Sequence, residues 1–286
     1  MESTPLKSRL LVITAALLFS TGGAAIKAAT LTGWQVACFR SAVAAVVLLV
    51  ALPEARRGWS WRMVPVAVAY AATLITFVLA NRLTTSADAI FLQSTAPLYL
   101  LLLGPWLLRE PIHRADILFI VTVAIGMAVF FVGTESPVAT APDPSRGNVL
   151  AVMSGLFFAL MLVGLRWLAR AKDRSSAVVT VALGNIVACL VTLPMVFPIR
   201  SGGGAGDNVA VILYLGVVQI GVAYVCLTRA FRHVPALEAT TLLTLEPALN
   251  PVWTWLIHGE KPAAWALAGG AVILSATLVS TWRRSR

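Results

Sequence analysis

Charged side chains are scarce in this chain. Asp, Glu, Lys and Arg make up 12% of its 286 residues, and only 12 residues are acidic, whereas soluble domains carry about 25% charged residues. So few charges could not cover the surface of a soluble fold of this length. The composition therefore excludes an ordinary soluble domain. The 59% of hydrophobic residues and the mean hydropathy of +0.86 favour a protein with many membrane spans.

Cysteine and histidine are also rare, with three residues of each. The cysteines lie in apolar runs without CxxC spacing, so we predict small buried side chains rather than disulfides or metal ligands. No HExxH motif, serine–histidine arrangement or nucleotide-binding motif is present. These absences argue against an intramembrane enzyme, against a metal or other cofactor, and against ATP-driven transport by this chain alone.

The formal net charge of +10 is explained by the need for Lys and Arg at the cytoplasmic ends of the predicted helices. There is no basic stripe with interleaved aromatic residues, so nucleic acid is not predicted as a partner. Most Lys and Arg fall in alternate loops, which the positive-inside rule assigns to the cytoplasm. Only Arg82, Arg146, Arg200 and Lys261 fall in the opposite loops. This bias predicts cytoplasmic N- and C-termini and an even number of spans.

The long apolar runs that are present predict an all-α membrane protein of ten spans. We place these helices at residues 9–29, 33–53, 63–82, 86–108, 114–133, 147–168, 175–198, 209–230, 235–257 and 263–282. The longest polar stretch divides the chain into a first unit at 1–137, a linker at 138–146 and a second unit at 147–286.

The two units contain an internal repeat at an offset of 150 positions. Without a gap, the repeat aligns Ala80 with Ala230, Arg82 with Arg232, Ala89 with Ala239, Leu92 with Leu242, Pro97 with Pro247 and Glu110 with Glu260. Because each unit holds five predicted spans, an odd number, the second unit must enter the membrane from the opposite side. Inverted repeats of this kind are typical of carriers that alternate access to a central cavity near the bilayer midplane.

The two copies of the repeated helix, at 87–111 and 237–262, resemble the EamA repeat of the drug/metabolite transporter superfamily. Each copy has a small-residue start, a proline after polar residues and a Glu beyond the helix end. The resemblance covers essentially the whole chain and implies export of small metabolites. In length and pattern the chain is similar to the YddG-like exporters of aromatic amino acids.

Glu246 is the most costly side chain for membrane insertion, because an acidic residue near a helix centre costs about 2.5–3.5 kcal/mol. It is predicted either to bind a substrate amine or a proton, or to have a structural role. In the structural role it would pair with a cation such as Lys27, Arg40 or Arg166, or bond as a neutral carboxylic acid to backbone freed by Pro247. Asn250 lies one helical turn further on and Trp253 continues the same face. This face suits an amphipathic zwitterion.

Other candidates for the cavity lining lie in matching or neighbouring helices. They are Gln93, Tyr99, Phe77, Asn81, Phe158 and Tyr224. Pro97, Pro247 and Pro251 remove helix hydrogen bonds at corresponding places and are predicted either to form a gate or to fix a kink. Glu110, Glu260 and Arg40 are predicted to be structural charges. A salt bridge or helix cap is favoured for the two glutamates, and a carboxylate or carbonyl partner for Arg40.

The sequence thus predicts a monomeric secondary transporter of the cell inner membrane. It would export amino acids, with aromatic or other neutral or apolar ones favoured, or related small metabolites. The alternatives are export of another class, such as a drug, nucleobase or sugar derivative, and a gated, channel-like facilitator. The expected partners are this small substrate and the lipid bilayer.

Overall fold

The computed structural model describes residues 3–107, 114–132, 137–170, 176–199, 205–230, 233–234 and 236–284. Apart from one isolated bridge between Val138 and Ala141, the regular elements in these residues are helical. The α-helices are α1 Ser3–Ser20, α2 Gly22–Ala28, α3 Gly33–Ala51, α4 Met63–Leu83, α5 Ser86–Gln93, α6 Ala96–Leu107, α7 Arg114–Val132, α8 Pro144–Arg170, α9 Ser176–Thr192, α10 Ala205–Leu213, α11 Ala223–Ala230, α12 Ala236–Leu243, α13 Leu245–His258 and α14 Ala264–Arg284.

Seven helical stretches in the described ranges are long and apolar enough to span a membrane. They are Leu6–Ala28, Gly33–Ala51, Met63–Leu83, Ser86–Leu103, Pro144–Leu168, Ala177–Met195 and Gly206–Ala230. Two shorter apolar helices lie at Asp116–Phe131 and Ala264–Ser280. The chain is therefore an all-helical, multi-pass membrane protein. The predicted fifth, ninth and tenth spans are not among the seven, so the count of ten stays a prediction.

Both copies of the repeated helix are broken at the same place. The first copy divides into α5 and α6 around Ser94 and Thr95, and the second divides into α12 and α13 at Thr244. The short segments α5 and α12 start and end at the same offset of 150 residues. A proline in the first turn of α6 and of α13 lacks the N–H that would continue the preceding helix. The repeat is thus visible in the backbone as well as in the sequence.

Local capping explains where several helices begin. Thr32 accepts a hydrogen bond from the Gln35 backbone N–H, and the Gln35 side chain accepts one from the Thr32 N–H. This capping box satisfies donors that would otherwise face an apolar environment. Thr85 caps α5 by accepting from the Asp88 N–H. Both caps follow directly from the residue types at these positions.

The two halves of the chain interlock rather than lying side by side. α4 packs against α8 and α9, α3 lies on α9, and α1 contacts α11 and α13. Residues Tyr214–Val222, between α10 and α11, form a π-helical segment. Such segments are uncommon and often lie at functional sites.

α3 contacts α4, α9 and α11, and α4 also contacts α9. These four helices therefore bring side chains from both halves into one region.

The contact between α7 and α14 depends on glycine. A Cβ at Gly269 would lie 2.8 Å from the Gly126 carbonyl oxygen and 2.7 Å from Phe130 Cε2. Small residues allow helices to approach this closely.

We therefore predict that Gly269→Ala lowers the free energy of unfolding by about 1–3 kcal/mol, a typical cost of overpacking. Thermal unfolding in detergent measures the effect. Gly206→Ala is the matched control, because nothing lies within 4 Å of its new Cβ, and it should leave stability equal or slightly higher. Equal effects of the two substitutions would contradict the close helix contact.

Candidate functional site

Aromatic and charged side chains from separate helices meet in the interior of the bundle. The Tyr224 ring of α11 packs edge-on against Phe19 of α1, with ring centroids 5.2 Å apart. It also packs against Tyr70 of α4 at 6.3 Å. The Arg40 guanidinium and the Glu246 carboxylate each interact electrostatically with Tyr224. We call Phe19, Arg40, Tyr70, Tyr224 and Glu246 the interior cluster.

Arg40 lies in the middle of α3 and is only 2% exposed. Its Nε is buried without a hydrogen-bond partner. In the part of the chain that the structure describes, no carboxylate or carbonyl pairs with Arg40, and its electrostatic neighbours are Tyr70 and Tyr224. The sequence-based expectation of such a partner therefore finds no support in the described residues.

Glu246 follows the break between α12 and α13 and is half-buried. Among the described side chains it has neither an ion pair nor a hydrogen bond. Lys27, one of the cations considered for it, pairs with Glu260 instead. Glu246 therefore keeps its acceptor oxygens available to a bound cation or proton.

The face of α13 beyond Glu246 turns toward α1 and α2. Trp253 donates its indole N–H to Ser20 Oγ at 2.8 Å. Asn250 is fully buried, and neither its Nδ2 nor its Oδ1 has a partner within the described ranges. A Cβ on Gly23 would lie 2.7 Å from Asn250 Oδ1, so the glycine makes room for the amide. Buried polar atoms without a partner are rare in native proteins, so this amide is a candidate contact for a bound ligand.

Ser86 connects Asn81 to the surroundings of the Asn250 amide. Ser86 Oγ donates to Asn81 Oδ1 at 2.9 Å and would lie 2.7 Å from a Cβ on Gly23. The Asn81 amide also donates to the Phe77 carbonyl at 3.0 Å. Asn81 and Asn250, which sequence analysis proposed separately, therefore belong to one polar region beside α2.

A buried ion pair lies next to this region. Lys27 Nζ lies 2.8 Å from Glu260 Oε2, and both side chains are 4% exposed. Glu260 Oε1 also accepts the Ser86 backbone N–H at 2.7 Å, at the first residue of α5. Lys27 donates to the carbonyls of Thr84, at 2.9 Å, and of Thr140. Glu260 thus forms both a salt bridge and a helix cap. Its repeat partner, Glu110, lies outside the described residues.

The remaining predicted lining residues lie away from the interior cluster or at its edge. Gln93 donates to Ser154 Oγ at 2.7 Å and thereby ties α5 to α8. The Tyr99 hydroxyl points to Met127 Sδ on α7, at 3.8 Å. Phe77 is 8% exposed and packs in a hydrophobic core. Phe158 and Tyr224 are both partly buried and pack against another core.

The three prolines occupy the broken helices. Pro97 lies in the first turn of α6, Pro247 in the first turn of α13, and Pro251 inside α13. Pro97 and Pro247 thus adjoin the two breaks, whereas Pro251 lies within a continuous helix; whether these prolines gate or fix a kink stays a prediction.

Sequence reasoning missed Phe19, Tyr70 and Asn185. Asn185 of α9 is fully buried and donates to the Tyr70 hydroxyl at 3.3 Å and to the Val181 carbonyl at 2.9 Å. The amide of Asn185 and the phenol of Tyr70 lie within predicted apolar spans, where polar groups are costly. This placement alone could have marked both residues as candidates for the interior of the bundle.

Comparison with known proteins identifies the family. Residues 6–132 and 145–282 both match the EamA-like transporter family. The chain belongs to this family. It is 28% identical over 275 residues to the pseudopaline exporter CntI of Pseudomonas aeruginosa, covering 94% of each chain. It is also 28% identical over 158 residues to an uncharacterized transporter of Helicobacter pylori, covering 52% of this chain and 49% of that protein.

One solved crystal structure, 18% identical, superposes with a TM-score of 0.63 over 98% of both chains. This similarity shows that the EamA-like chain shares that fold. The family and the named relatives are transporters. The EamA-like chain is therefore a membrane transporter of small molecules and not an enzyme.

Proposed function

We propose that this transporter exports amino acids, with aromatic or other neutral or apolar ones favoured, or related small metabolites, across the cell inner membrane by alternating access. The observation that carries the proposal is Glu246, a half-buried carboxylate with no ion pair or hydrogen bond among the described residues. A carboxylate in that position is a strong acceptor for an ammonium group. Glu246 also interacts electrostatically with the Tyr224 hydroxyl.

The surroundings of Glu246 suit the rest of such a substrate. Tyr224, Phe19 and Trp253 supply aromatic surface for an apolar side chain. The buried Asn250 amide supplies a donor and an acceptor without protein partners in the described ranges. Ligand sites are typically apolar pockets with a few convergent polar groups, and this arrangement has that character.

Two features support alternating access. The two copies of the repeated helix are broken at corresponding positions, and interrupted helices at matching places in two halves are typical of alternating-access carriers. The two ends of the bundle also differ: the Lys27–Glu260 pair is buried, whereas the Arg9–Glu238 pair is 52% and 33% exposed. We interpret this difference as a state closed on the external side and open toward the cytoplasm, where we place both termini. One chain would supply the complete path, so we propose a monomer.

The name of one relative supports the direction of transport. CntI, which this chain matches over nearly its whole length, is named as an exporter of pseudopaline. We propose export here too, with the substrate class argued from the interior cluster.

Flux measurements on the purified chain in liposomes test this function. Efflux of radiolabelled L-phenylalanine, L-tyrosine and L-leucine should saturate with concentration and exceed that of protein-free liposomes. Flux that never saturates would favour the channel-like facilitator. Absence of flux for every amino acid, together with flux of a nucleobase or sugar derivative, would reject the proposed substrate class.

Asn250→Leu separates a ligand contact from a structural one. Leu already stands at the equivalent position 100 of the first repeat. Removing a buried amide without partners should leave the free energy of unfolding equal, or raise it by up to about 1–3 kcal/mol. Saturable amino-acid efflux should nevertheless fall at least several-fold.

Asn208→Leu is the matched control for stability. The Asn208 amide bonds to Thr30 through two hydrogen bonds of 2.7 and 2.9 Å, so its loss should destabilise the protein in a thermal unfolding measurement. If Asn250→Leu destabilises as much as Asn208→Leu, Asn250 is a structural residue.

A further inference from the structure

Arg40 presents an energetic problem that the proposed amine site does not solve. A cation in the interior of a membrane protein is expensive unless it is paired or hydrogen-bonded. Arg40 is 2% exposed, and its Nε is buried without a partner. No described carboxylate pairs with it. Among the described residues this guanidinium has no carboxylate partner, so a bound ligand can supply its counter-ion.

The neighbours of Arg40 are hydroxyl donors. The Tyr70 hydroxyl accepts the Asn185 amide N–H at 3.3 Å, so its own O–H remains free to donate. Tyr224 donates its hydroxyl to the Tyr70 oxygen, and both phenols interact electrostatically with the Arg40 guanidinium. The Asn185 amide is held in orientation by its second bond, to the Val181 carbonyl. The guanidinium and the Tyr70 O–H are thus buried donors that suit an acceptor with two oxygens.

We propose that Arg40, with the Tyr70 hydroxyl, forms a subsite that binds the carboxylate of the exported substrate. Arginine donates in a planar fork that matches the two oxygens of a carboxylate. This inference rests on the proposed function and deepens it, since Glu246 would hold the amine while Arg40 holds the acid. Tyr224 interacts electrostatically with both charges and therefore lies where a zwitterion would connect them.

Three labelled probes of similar shape separate the two charges. L-phenylalanine carries both groups, phenethylamine carries only the amine, and 3-phenylpropionate carries only the carboxylate. Each is measured as efflux from phosphatidylethanolamine–phosphatidylglycerol vesicles containing the full-length chain, at several concentrations. The same probes are tested for thermal stabilisation of the protein in detergent.

Arg40→Gln should reduce the transport efficiency for L-phenylalanine and for 3-phenylpropionate by at least about tenfold, because a hydrogen bond between charged groups is lost. Phenethylamine transport should stay within about twofold of the unsubstituted protein, because the amine does not contact Arg40. Arg40→Lys should give intermediate values, since it keeps the charge but loses the fork. Arg56→Gln, at an exposed cation in the turn after α3, is the control and should change none of the three.

Equal losses for all three probes, or no loss for the two carboxylates, would overturn the subsite. If Arg40→Gln does not fold, Arg40→Lys decides, since a selective loss for carboxylates supports the subsite and a uniform loss rejects it.

The results for the unsubstituted chain distinguish the two proposals. Transport of 3-phenylpropionate but of neither amine-containing probe would reject amino-acid export, while a loss in Arg40→Gln would still support the subsite. If neither L-phenylalanine nor 3-phenylpropionate is transported, and neither stabilises the protein thermally, the subsite is rejected.

Discussion

Glu246→Gln will reduce the efflux of L-phenylalanine and of phenethylamine by about tenfold to a hundredfold. Hydrogen bonds to charged groups contribute about 1.5–3 kcal/mol, and each 1.4 kcal/mol corresponds to about a factor of ten in an equilibrium constant. Gln keeps the size of the side chain but loses its charge and one acceptor. Efflux of 3-phenylpropionate, which has no amine, should be unchanged. Initial rates from liposomes at several concentrations measure the effect.

The free energy of unfolding of Glu246→Gln should not fall along with its transport rate. The Glu246 carboxylate has no ion pair or hydrogen bond in the described residues, so the substitution breaks no internal bond. It also removes a charge that is costly among apolar helices. We therefore expect the free energy of unfolding of Glu246→Gln to be equal to or above that of the unsubstituted protein. A loss of transport without a loss of stability distinguishes a ligand contact from a structural tie.

Glu238→Gln is the matched control. Glu238 lies in α12, the segment that precedes α13, and pairs with Arg9 at a partly exposed position. Surface pairs contribute only about 0–1 kcal/mol, so this substitution should change neither flux nor stability appreciably. If Glu246→Gln leaves amino-acid flux and its pH dependence unchanged, Glu246 is structural and the amine subsite is rejected.

Features set by local chemistry could be predicted from the sequence. Long apolar runs identified the membrane class. Proline following a short polar segment predicted the interruptions near Pro97 and Pro247, because a missing N–H acts within one helical turn. The offset of 150 residues, found by identity alone, reappears in the bounds of α5 and α12.

Features that depend on packing between distant helices could not be predicted. Arg40, Tyr70, Asn185 and Tyr224 lie on α3, α4, α9 and α11, and no spacing along the chain connects them. For the same reason the bond between the Gln93 amide and Ser154 of α8 could not be predicted. Burial and crossing of helices decide which polar residues face one another, and apolar periodicity does not encode the partner.

Lys27→Met should be the most destabilising of the substitutions considered. Removing one partner of a buried ion pair leaves an uncompensated charge and typically costs about 3–5 kcal/mol. Here Glu260 would lose the cation 2.8 Å from its Oε2, and the Thr84 and Thr140 carbonyls would lose a donor. The free energy of unfolding from denaturant titration in detergent measures this loss.

A double substitution tests whether the charge itself is responsible. Glu260→Gln can keep its oxygen on the Ser86 N–H, and thereby the cap of α5, while losing its charge. Lys27→Met combined with Glu260→Gln should therefore cost less than the sum of the two single changes, with a coupling of about 0.5–3 kcal/mol. Simple additivity would mean that the two side chains do not act as a pair.

The Arg9–Glu238 pair gives the reference for an exposed ion pair within the same protein. Its side chains are 52% and 33% exposed, against 4% for both members of the Lys27–Glu260 pair. Arg9→Met should therefore cost only about 0–1 kcal/mol. The proposed state, closed on the external side and open toward the cytoplasm, requires such a difference between the two pairs. If Lys27→Met costs no more than Arg9→Met, the proposal of a closed external end is rejected.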